Sequence, residues 1–299
     1  MSLSVNLAGI ELQNPIIAAS GTFGFGREFS PYLDLNRLGA ISTKGLTIVE
    51  KPGNTGIRIH ETPSGIMNSI GLQNPSIRVF IEKEYENLKK YKMEIIPNLG
   101  GNNLEQYIEG AKLLDTLDIN IIELNISCPN VKEGGMAFGM TCEAAGKVVS
   151  AVRKVTNKKL MVKLSPNAHN LVDVSKECEA NGADILSLVN TFNALAVDVD
   201  NRKAIFDNIT AGLSGPCIRP IAVRMAWEVC KSVNIPVVGM GGIMNYKDAL
   251  EFIMVGCSAV QVGTANFINP KVMIEIIDDL ENYLKKNKFS SLEEIRGII

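Results

Sequence analysis

Eight short apolar runs, most of them rich in β-branched residues, recur along the whole chain and constrain its fold more than any other feature. Most are continuous and do not alternate with polar residues, which is typical of strands buried on both faces of a parallel sheet. Amphipathic helical segments lie between several of them. The runs are residues 15–20, 39–44, 94–99, 120–127, 159–165, 183–190, 235–242 and 258–264.

Eight such runs interleaved with helices over about 250 residues predict an α/β fold, a (β/α)8 TIM barrel. We find no linker or repeat, so residues 1–299 are predicted to form a single domain. The alternative is an open doubly wound sheet, which needs a GxGxxG turn after its first strand. The glycines at 21, 24 and 26 do not have that spacing.

Two helix starts and three long connections can be predicted. Asn103 begins a sequence that resembles a capping box, and Asn269 before Pro270 predicts an N-cap followed by proline at the first helical position. The long connections contain apolar and aromatic residues as well as glycine, so we expect ordered lids over one end of the barrel. They are residues 46–93, 128–142 and 191–219.

Composition excludes several classes of partner. Thirty Lys and Arg against 32 Asp and Glu leave a net charge of −2, which gives no reason to expect nucleic acid or an anionic membrane. No apolar run approaches the ~18 residues of a membrane helix, and the N-terminal sequence is not that of a signal peptide.

Cysteine usage is informative in the same way. The six cysteines include no CxxC pair, and there are only two histidines, so no zinc or iron–sulfur site is expected within this chain. Unclustered cysteines without an export signal predict reduced thiols and a cytoplasmic location.

Polar or backbone-exposing residues stand where each predicted strand ends, and in this fold the active site lies at the carboxyl ends of the strands. Glycines after the last two strands are expected to hold a phosphate through backbone N–H groups. Lys44 and Lys163 lie in apolar sequence and need an anionic or electron-rich partner. The strand-end residues are Ser20, Lys44, Gly45, Asn98, Asn125, Lys163, Ser165, Asn190, Thr191, Gly241, Gly242, Gly263 and Thr264.

Two further segments carry candidate chemistry. Residues 125–130 place three hydrogen-bonding side chains and the thiol of Cys128 directly after a strand, so Cys128 is a candidate base or nucleophile. Residues 68–74 lie in the first long connection. They fit a substrate-contacting loop and a structural Asx-turn equally well.

These motifs resemble the dihydroorotate dehydrogenase family, and the resemblance covers essentially the whole chain. It implies an FMN-containing barrel that oxidises dihydroorotate to orotate in pyrimidine biosynthesis. Cysteine at the base position resembles the class 1 enzymes, since the membrane-associated class has serine there. The motifs that carry the resemblance are NSIGLQN (68–74), NISCPNVKEGG (125–135), VKLSPN (162–167), LVNT (188–191), GLSGPCIRPIAVRM (212–225), IPVVGMGGI (235–243) and VQVGTANF (260–267).

The resemblance also implies roles for individual residues. Cys128 would remove the C5 proton of dihydroorotate, while the C6 hydride would pass to N5 of FMN. Substrate contacts are implied for Lys44, Asn68, Ser69, Ile70, Gly71, Leu72, Asn125, Asn130, Asn190 and Thr191. FMN contacts are implied for Ser20, Lys44, Gly45, Asn98, Asn125, Lys163, Val189, Gly215, Gly241, Gly242, Gly263 and Thr264.

The sequences SCPNVKEGG and PVVGMGGI are more similar to the NAD-linked 1B subclass than to the fumarate-linked 1A homodimers. Since this chain has no dinucleotide fingerprint and no cluster spacing, the resemblance implies a partner subunit carrying FAD and a [2Fe–2S] cluster. The implied assembly is a heterotetramer around a homodimer core, with NAD as final acceptor. Alternatives are the 1A reading, a Schiff-base aldolase using Lys163 and a non-catalytic phosphate-binding barrel.

Overall fold

The computed structural model describes residues 2–127 and 138–299, and its centre is a closed barrel of parallel strands. Every predicted run contains one barrel strand, so the prediction of a TIM barrel is confirmed. The barrel strands are β1 (Ile16–Ala18), β2 (Ala40–Ser42), β3 (Glu94–Ile96 with Asn98–Leu99), β4 (Ile121–Asn125), β5 (Lys159–Lys163), β6 (Ile185–Leu188), β7 (Val237–Met240) and β8 (Ala259–Val262).

Strand β3 closes the barrel in two halves, on either side of Pro97. Its first half pairs with β2 and its second half pairs with β4, while β1 pairs with both β2 and β8. All five residues of β4 are buried. Because barrel strands face the interior on one side and helices on the other, their sequences are continuously apolar rather than alternating.

Helices follow the strands, except after β1, where only a short 3₁₀ turn (Leu35–Arg37) forms. The helices are α1 (the consecutive segments Ile77–Val79, Phe80–Tyr85 and Glu86–Leu88), α2 (Leu104–Asp115), α3 (Cys142–Arg153), α4 (Leu171–Ala180), α5 (Arg219–Cys230), α6 (Tyr246–Met254), α7 (Ala265–Ile268) and α8 (Val272–Asn287). Short 3₁₀ turns also occur at Phe138–Met140, Pro216–Ile218 and Leu292–Glu294.

One of the two predicted helix starts is confirmed. The side chain of Asn103 accepts the backbone N–H of Gln106 at the start of α2. The start predicted at Asn269 lies two residues too early, since Asn269 ends α7 by donating its N–H to the carbonyl of Ala265, although its side chain does accept the N–H of Lys271 at 3.0 Å, as an N-cap does. A separate turn follows, and α8 begins only at Val272.

Two of the long connections combine into one antiparallel sheet, which we call the lid sheet. Its strands run in the order Phe192–Leu195, Thr210–Ser214, Gly65–Asn68 and Ile59–Thr62. These connections are therefore ordered, as predicted. The strands that they contain were not predicted. Short two-stranded sheets also form at Val5–Leu7 with Ile10–Leu12 and at Val197–Asp198 with Lys203–Ala204.

Close packing outside β7 predicts a clear stability effect. A Cβ on Gly239 would lie 2.4 Å from a ring carbon of Phe252 and 2.9 Å from the sulfur of Cys257. Both neighbours are fully buried, so Gly239→Ala is expected to cost about 1–3 kcal/mol through overpacking. Urea unfolding measures this, with Gly263→Ala as a control for added volume, since φ of Gly263 is not positive and no atom comes closer than 3.6 Å to its Cβ position. Equal stability of Gly239→Ala and wild type would contradict the packing described.

Candidate active site

A cavity of about 700 Å³ lies at the carboxyl ends of the barrel strands and is covered by the lid sheet. Most of the predicted site residues line it. They are Ser20, Lys44, Gly45, Asn68, Ser69, Ile70, Gly71, Leu72, Asn125, Lys163, Val189, Asn190, Thr191, Gly215, Gly241, Gly242, Gly263 and Thr264.

Three predicted site residues are not among those lining residues. Asn98 is fully buried, and its Oδ1 lies 3.4 Å from the amide nitrogen of Asn125, which lines the cavity. Its side chain points into the polar interior of the barrel, towards Glu123, and the FMN contact implied for Asn98 stays a prediction. Cys128 and Asn130 lie outside the described residues.

The glycines after β7 leave the backbone bare at one end of the cavity. Gly241 and Gly242 have φ angles of +133° and +71°, and a Cβ on either would lie 2.7 Å from a side-chain carbon of α5. Glycine is therefore required both by conformation and by space. Nearby, the hydroxyl of Thr264 lies 2.9 Å from that of Ser214, so this end presents backbone and hydroxyl groups suited to a phosphate.

Two lysines bring positive charge to the cavity. Lys163 is only 5% exposed, and neither lysine amine has a hydrogen bond or ion pair within the described ranges 2–127 and 138–299. Burial lowers the pKa of Lys44, and the positive charge of Arg58 lowers it further. A largely buried amine that donates no hydrogen bond to the protein has its N–H groups available for an anionic ligand.

Amide side chains form a ladder across the cavity wall. The Oδ1 of Asn125 accepts the Ser127 hydroxyl at 2.7 Å, and Asn190 donates its amide to the same Ser127 oxygen. Ser127 belongs to the segment singled out in the sequence, but no role was predicted for it. Each amide can offer both a donor and an acceptor, which suits a planar ring with alternating N–H and C=O groups.

The loop at residues 68–72 is tied to the lid sheet. Asn68 donates its amide to the carbonyl of Gly212 at 3.3 Å, and the hydroxyl of Ser69 accepts amide N–H groups from Asn54 and Asn208, each at 3.0 Å. The loop therefore faces the cavity. Sequence reasoning missed several amides that line it with this loop, namely Asn54, Asn167, Asn193 and Asn208.

The barrel interior beneath the cavity holds an unpredicted carboxylate, Glu123 on β4. It is completely buried and accepts four side-chain hydrogen bonds of 2.5–2.8 Å, from strands on several sides of the barrel. The donors are Ser42, Asn98, Ser187 and Gln261. A charged residue within an apolar run was the only sequence signal for this cluster.

Burial alone would raise the pKa of Glu123, but its surroundings outweigh that effect. The positive charge of Lys163 and the hydrogen bonds from Ser42, Gln261 and Asn98 hold the pKa below its ordinary value. Glu123 is therefore ionised at neutral pH. Gln261 lines the cavity, and its Oε1 is buried without a hydrogen-bond partner.

In the described part of the chain, no group of three or more His, Cys, Asp or Glu side chains could hold a metal ion. The same part contains no helix that is both long and apolar enough to cross a bilayer. The groups that line the cavity are amides, lysines, hydroxyls and bare glycine backbone.

Comparison with known proteins assigns the family. Residues 2–284 match the family described as Dihydroorotate dehydrogenase. The chain belongs to the dihydroorotate dehydrogenase family. The resemblance found in the sequence motifs is thereby confirmed, and dihydroorotate oxidation is favoured over a Schiff-base aldolase that would use Lys163.

Individual dihydroorotate dehydrogenases resemble the chain over nearly its full length. A Petrotoga mobilis protein is 60% identical over 295 residues, which is 99% of this chain and 98% of the relative. Proteins of Brachyspira hyodysenteriae and Thermoanaerobacter pseudethanolicus are 50% and 49% identical over 297 residues, with the same coverage. All three are named Dihydroorotate dehydrogenase B (NAD(+)), catalytic subunit. These names favour the NAD-linked reading over the fumarate-linked one.

Proposed function

We propose that the cavity binds FMN together with dihydroorotate, and that the chain is the catalytic subunit of an NAD-linked dihydroorotate dehydrogenase of pyrimidine biosynthesis. One observation carries the proposal. A single cavity is lined by bare glycine backbone at one end and by two lysines and an amide ladder elsewhere. A phosphate, an electron-rich ring and an amide-bearing acid would each find a complementary surface there.

The residues present fit FMN. Side chains at Gly241 and Gly242 would collide with α5, so the open backbone suits the ribityl phosphate, with Gly215, Gly263 and Thr264 beside it. The unpartnered Oε1 of Gln261 suits an N–H donor, which the pyrimidine ring of a flavin has. Ser20, Lys44, Gly45, Asn125, Lys163 and Val189 would contact the rest of the cofactor.

The substrate would be held by amides and a cation. Asn68, Asn125, Asn130, Asn190 and Thr191 would bind the ring amides of dihydroorotate, and Lys44 would bind its carboxylate. The backbone of residues 69–72 would complete the pocket. Cys128 would take the C5 proton as general base. Bound FMN would supply the acceptor for the C6 hydride, and Lys163 would stabilise the negative charge that then develops.

Cofactor retention tests this proposal. Purified protein reconstituted with FMN and then desalted is expected to keep about one flavin per chain. The cavity supplies lysine side chains for the ring and backbone N–H groups for the phosphate. Flavin absorbance against protein concentration measures the ratio. Bovine serum albumin carried through the same steps controls for incomplete desalting. Protein that emerges colourless would contradict the proposal.

The chain alone is not expected to reduce NAD. We propose that a partner subunit carrying FAD and a [2Fe–2S] cluster takes the electrons, in a heterotetramer around a homodimer of this chain. The catalytic-subunit names of the relatives and the absence of a dinucleotide fingerprint from the sequence support this. The five described cysteines form no disulfide, and reduced thiols would fit a cytoplasmic location.

An acceptor assay tests the partner requirement. The FMN-loaded chain with dihydroorotate is expected to reduce an artificial dye and to leave NAD unreduced, because no second redox centre is expected here. Parallel assays with dye, fumarate and NAD, followed by absorbance, make the comparison. Rapid NAD reduction by the chain alone would refute the two-subunit proposal, and efficient fumarate use would favour the 1A homodimer.

A further inference from the structure

Glu123 is a buried charge to which the proposed reaction gives no direct part. Its donors come from β2, β3, β6 and β8, so they can meet only inside the barrel. Within the register of β4 and β5, Glu123 lies opposite Met161, and the next inward-facing pair towards the cavity is Asn125 and Lys163. The carboxylate therefore lies directly beneath side chains that line the cavity.

A carboxylate only accepts hydrogen bonds, and this fixes the orientation of its neighbours. Asn98 must turn its amide nitrogen to Glu123, at 2.6 Å, which leaves its Oδ1 to accept the amide of Asn125 at 3.4 Å. Asn125 is then oriented with its own oxygen towards the Ser127 hydroxyl, at 2.7 Å.

The same order of donors and acceptors continues to the far side of the cavity. Since the Ser127 hydroxyl donates to Asn125, its oxygen is free to accept the amide of Asn190. The Oδ1 of Asn190 in turn accepts the backbone N–H of Thr191 at 2.8 Å. Gln261 is fixed independently, because its nitrogen donates to Glu123 at 2.8 Å and its oxygen remains available.

We propose that Glu123 is a positioning residue that sets, through this directed chain of hydrogen bonds, which groups of Asn125, Asn190 and Gln261 donate and which accept in the cavity. Each of these amides keeps free hydrogen-bonding capacity for a ligand. The pattern they present is therefore a consequence of one buried negative charge. This inference rests on the proposed function, since it names what orients the orotate and flavin contacts.

Glu123→Gln would break the pattern of donors and acceptors without changing the shape of the side chain. One of its two polar atoms would become a donor and would face either the amide nitrogen of Asn98 or that of Gln261. One of those amides must then turn over or lose its hydrogen bond. An amide that has turned over presents its wrong group to the ligand, and a buried hydrogen-bonding group left unsatisfied in this way predicts about tenfold to a hundredfold weaker ligand binding.

The experiment compares FMN-loaded wild type with Glu123→Gln and Asn98→Ala. Flavin absorbance measures cofactor content, calorimetry measures the dissociation constant for orotate, and spectroelectrochemistry measures the flavin midpoint potential. Both variants are expected to keep FMN and to bind orotate about tenfold to a hundredfold more weakly. Only Glu123→Gln is expected to shift the potential to more positive values, because it alone removes a negative charge near the flavin.

Asn14→Ala is the matched control. Asn14 is also a buried amide, but it lies at the opposite end of β1, where it bonds the carbonyl of Arg37 and the N–H of Ile16. It is expected to lose stability and to keep wild-type affinity for orotate. If Glu123→Gln does not fold, Asn98→Ala decides the question by its orotate affinity.

The outcomes separate the inference from the function on which it rests. Wild type that binds neither FMN nor orotate contradicts the proposed function. Wild type that binds both, with wild-type orotate affinity in Asn98→Ala and in any folded Glu123→Gln, overturns the role of Glu123. An unchanged midpoint potential in Glu123→Gln overturns it as well, since the carboxyl would then carry no charge.

Discussion

Replacing Cys128 with alanine is expected to slow flavin reduction by dihydroorotate by about 10²–10⁴-fold near neutral pH, the usual contribution of a general base. FMN and orotate should still bind, since the lysines, glycines and amides described above remain in place. Anaerobic stopped-flow absorbance of the FMN-loaded protein measures the reduction rate directly. The wild-type rate should rise with pH, because a free thiol ionises at a pKa of about 8.5 and the thiolate is the base.

Two further variants make this test specific. Cys128→Ser keeps a weaker base at the same position and is expected to retain part of the rate, with the larger share at alkaline pH. Cys217→Ala removes an exposed thiol that does not line the cavity and should reduce its flavin at the wild-type rate. A Cys128→Ala protein as fast as wild type would remove Cys128 from the mechanism.

Lys44→Met is expected to weaken orotate binding to the FMN-loaded protein by about tenfold to a hundredfold, the value of a hydrogen bond to a charged group. Wild-type affinity should also fall as the pH rises. Burial, and secondarily Arg58, lower the pKa of Lys44, so its amine loses its charge at a lower pH than an ordinary lysine. An anion binds the cationic form, and affinity is therefore lost as the pH rises through the lowered pKa.

Lys44→Arg is the control for this pH dependence. Its guanidinium stays charged throughout the alkaline range, so its affinity for orotate should stay nearly constant where that of wild type declines. Calorimetry between neutral pH and about pH 10, where an unperturbed lysine begins to titrate, makes the comparison. Wild-type affinity that does not change over this range, or Lys44→Met that binds as wild type does, would exclude Lys44 from carboxylate binding.

Most of the barrel could be predicted because both sequence patterns that reveal it, the apolar runs and the polar residues directly after them, are local. Strands buried on both faces are continuously apolar, and residues directly after them meet at one rim. Lys44, Asn190 and Gly242 are therefore brought to one cavity although they are far apart in the chain. The position of Asn98 could not be obtained in this way, because strand ends give the rim but not the depth of a side chain below it.

Glu123 and the lid sheet escaped prediction because their partners are distant. Glu123 contacts Ser42, 81 positions away in the sequence, and Gln261, 138 positions away. No local sequence pattern around any of these residues indicates the others. The lid strands are only four or five residues long. Such short segments carry little periodicity, and here pairing with a remote strand decides the structure.

The lid sheet also bears on how the cavity arises during folding. Asn68 pairs with Gly212, and four of the eight barrel strands, β3 to β6, lie between them in the chain. Closing so long a loop is costly until the intervening strands and helices are packed. The cavity is thus a property of the completed barrel, and no fragment ending before the lid strand Thr210–Ser214 could enclose it. Ligand binding and global folding are linked for this reason, since a ligand held beneath the lid stabilises the whole barrel with it.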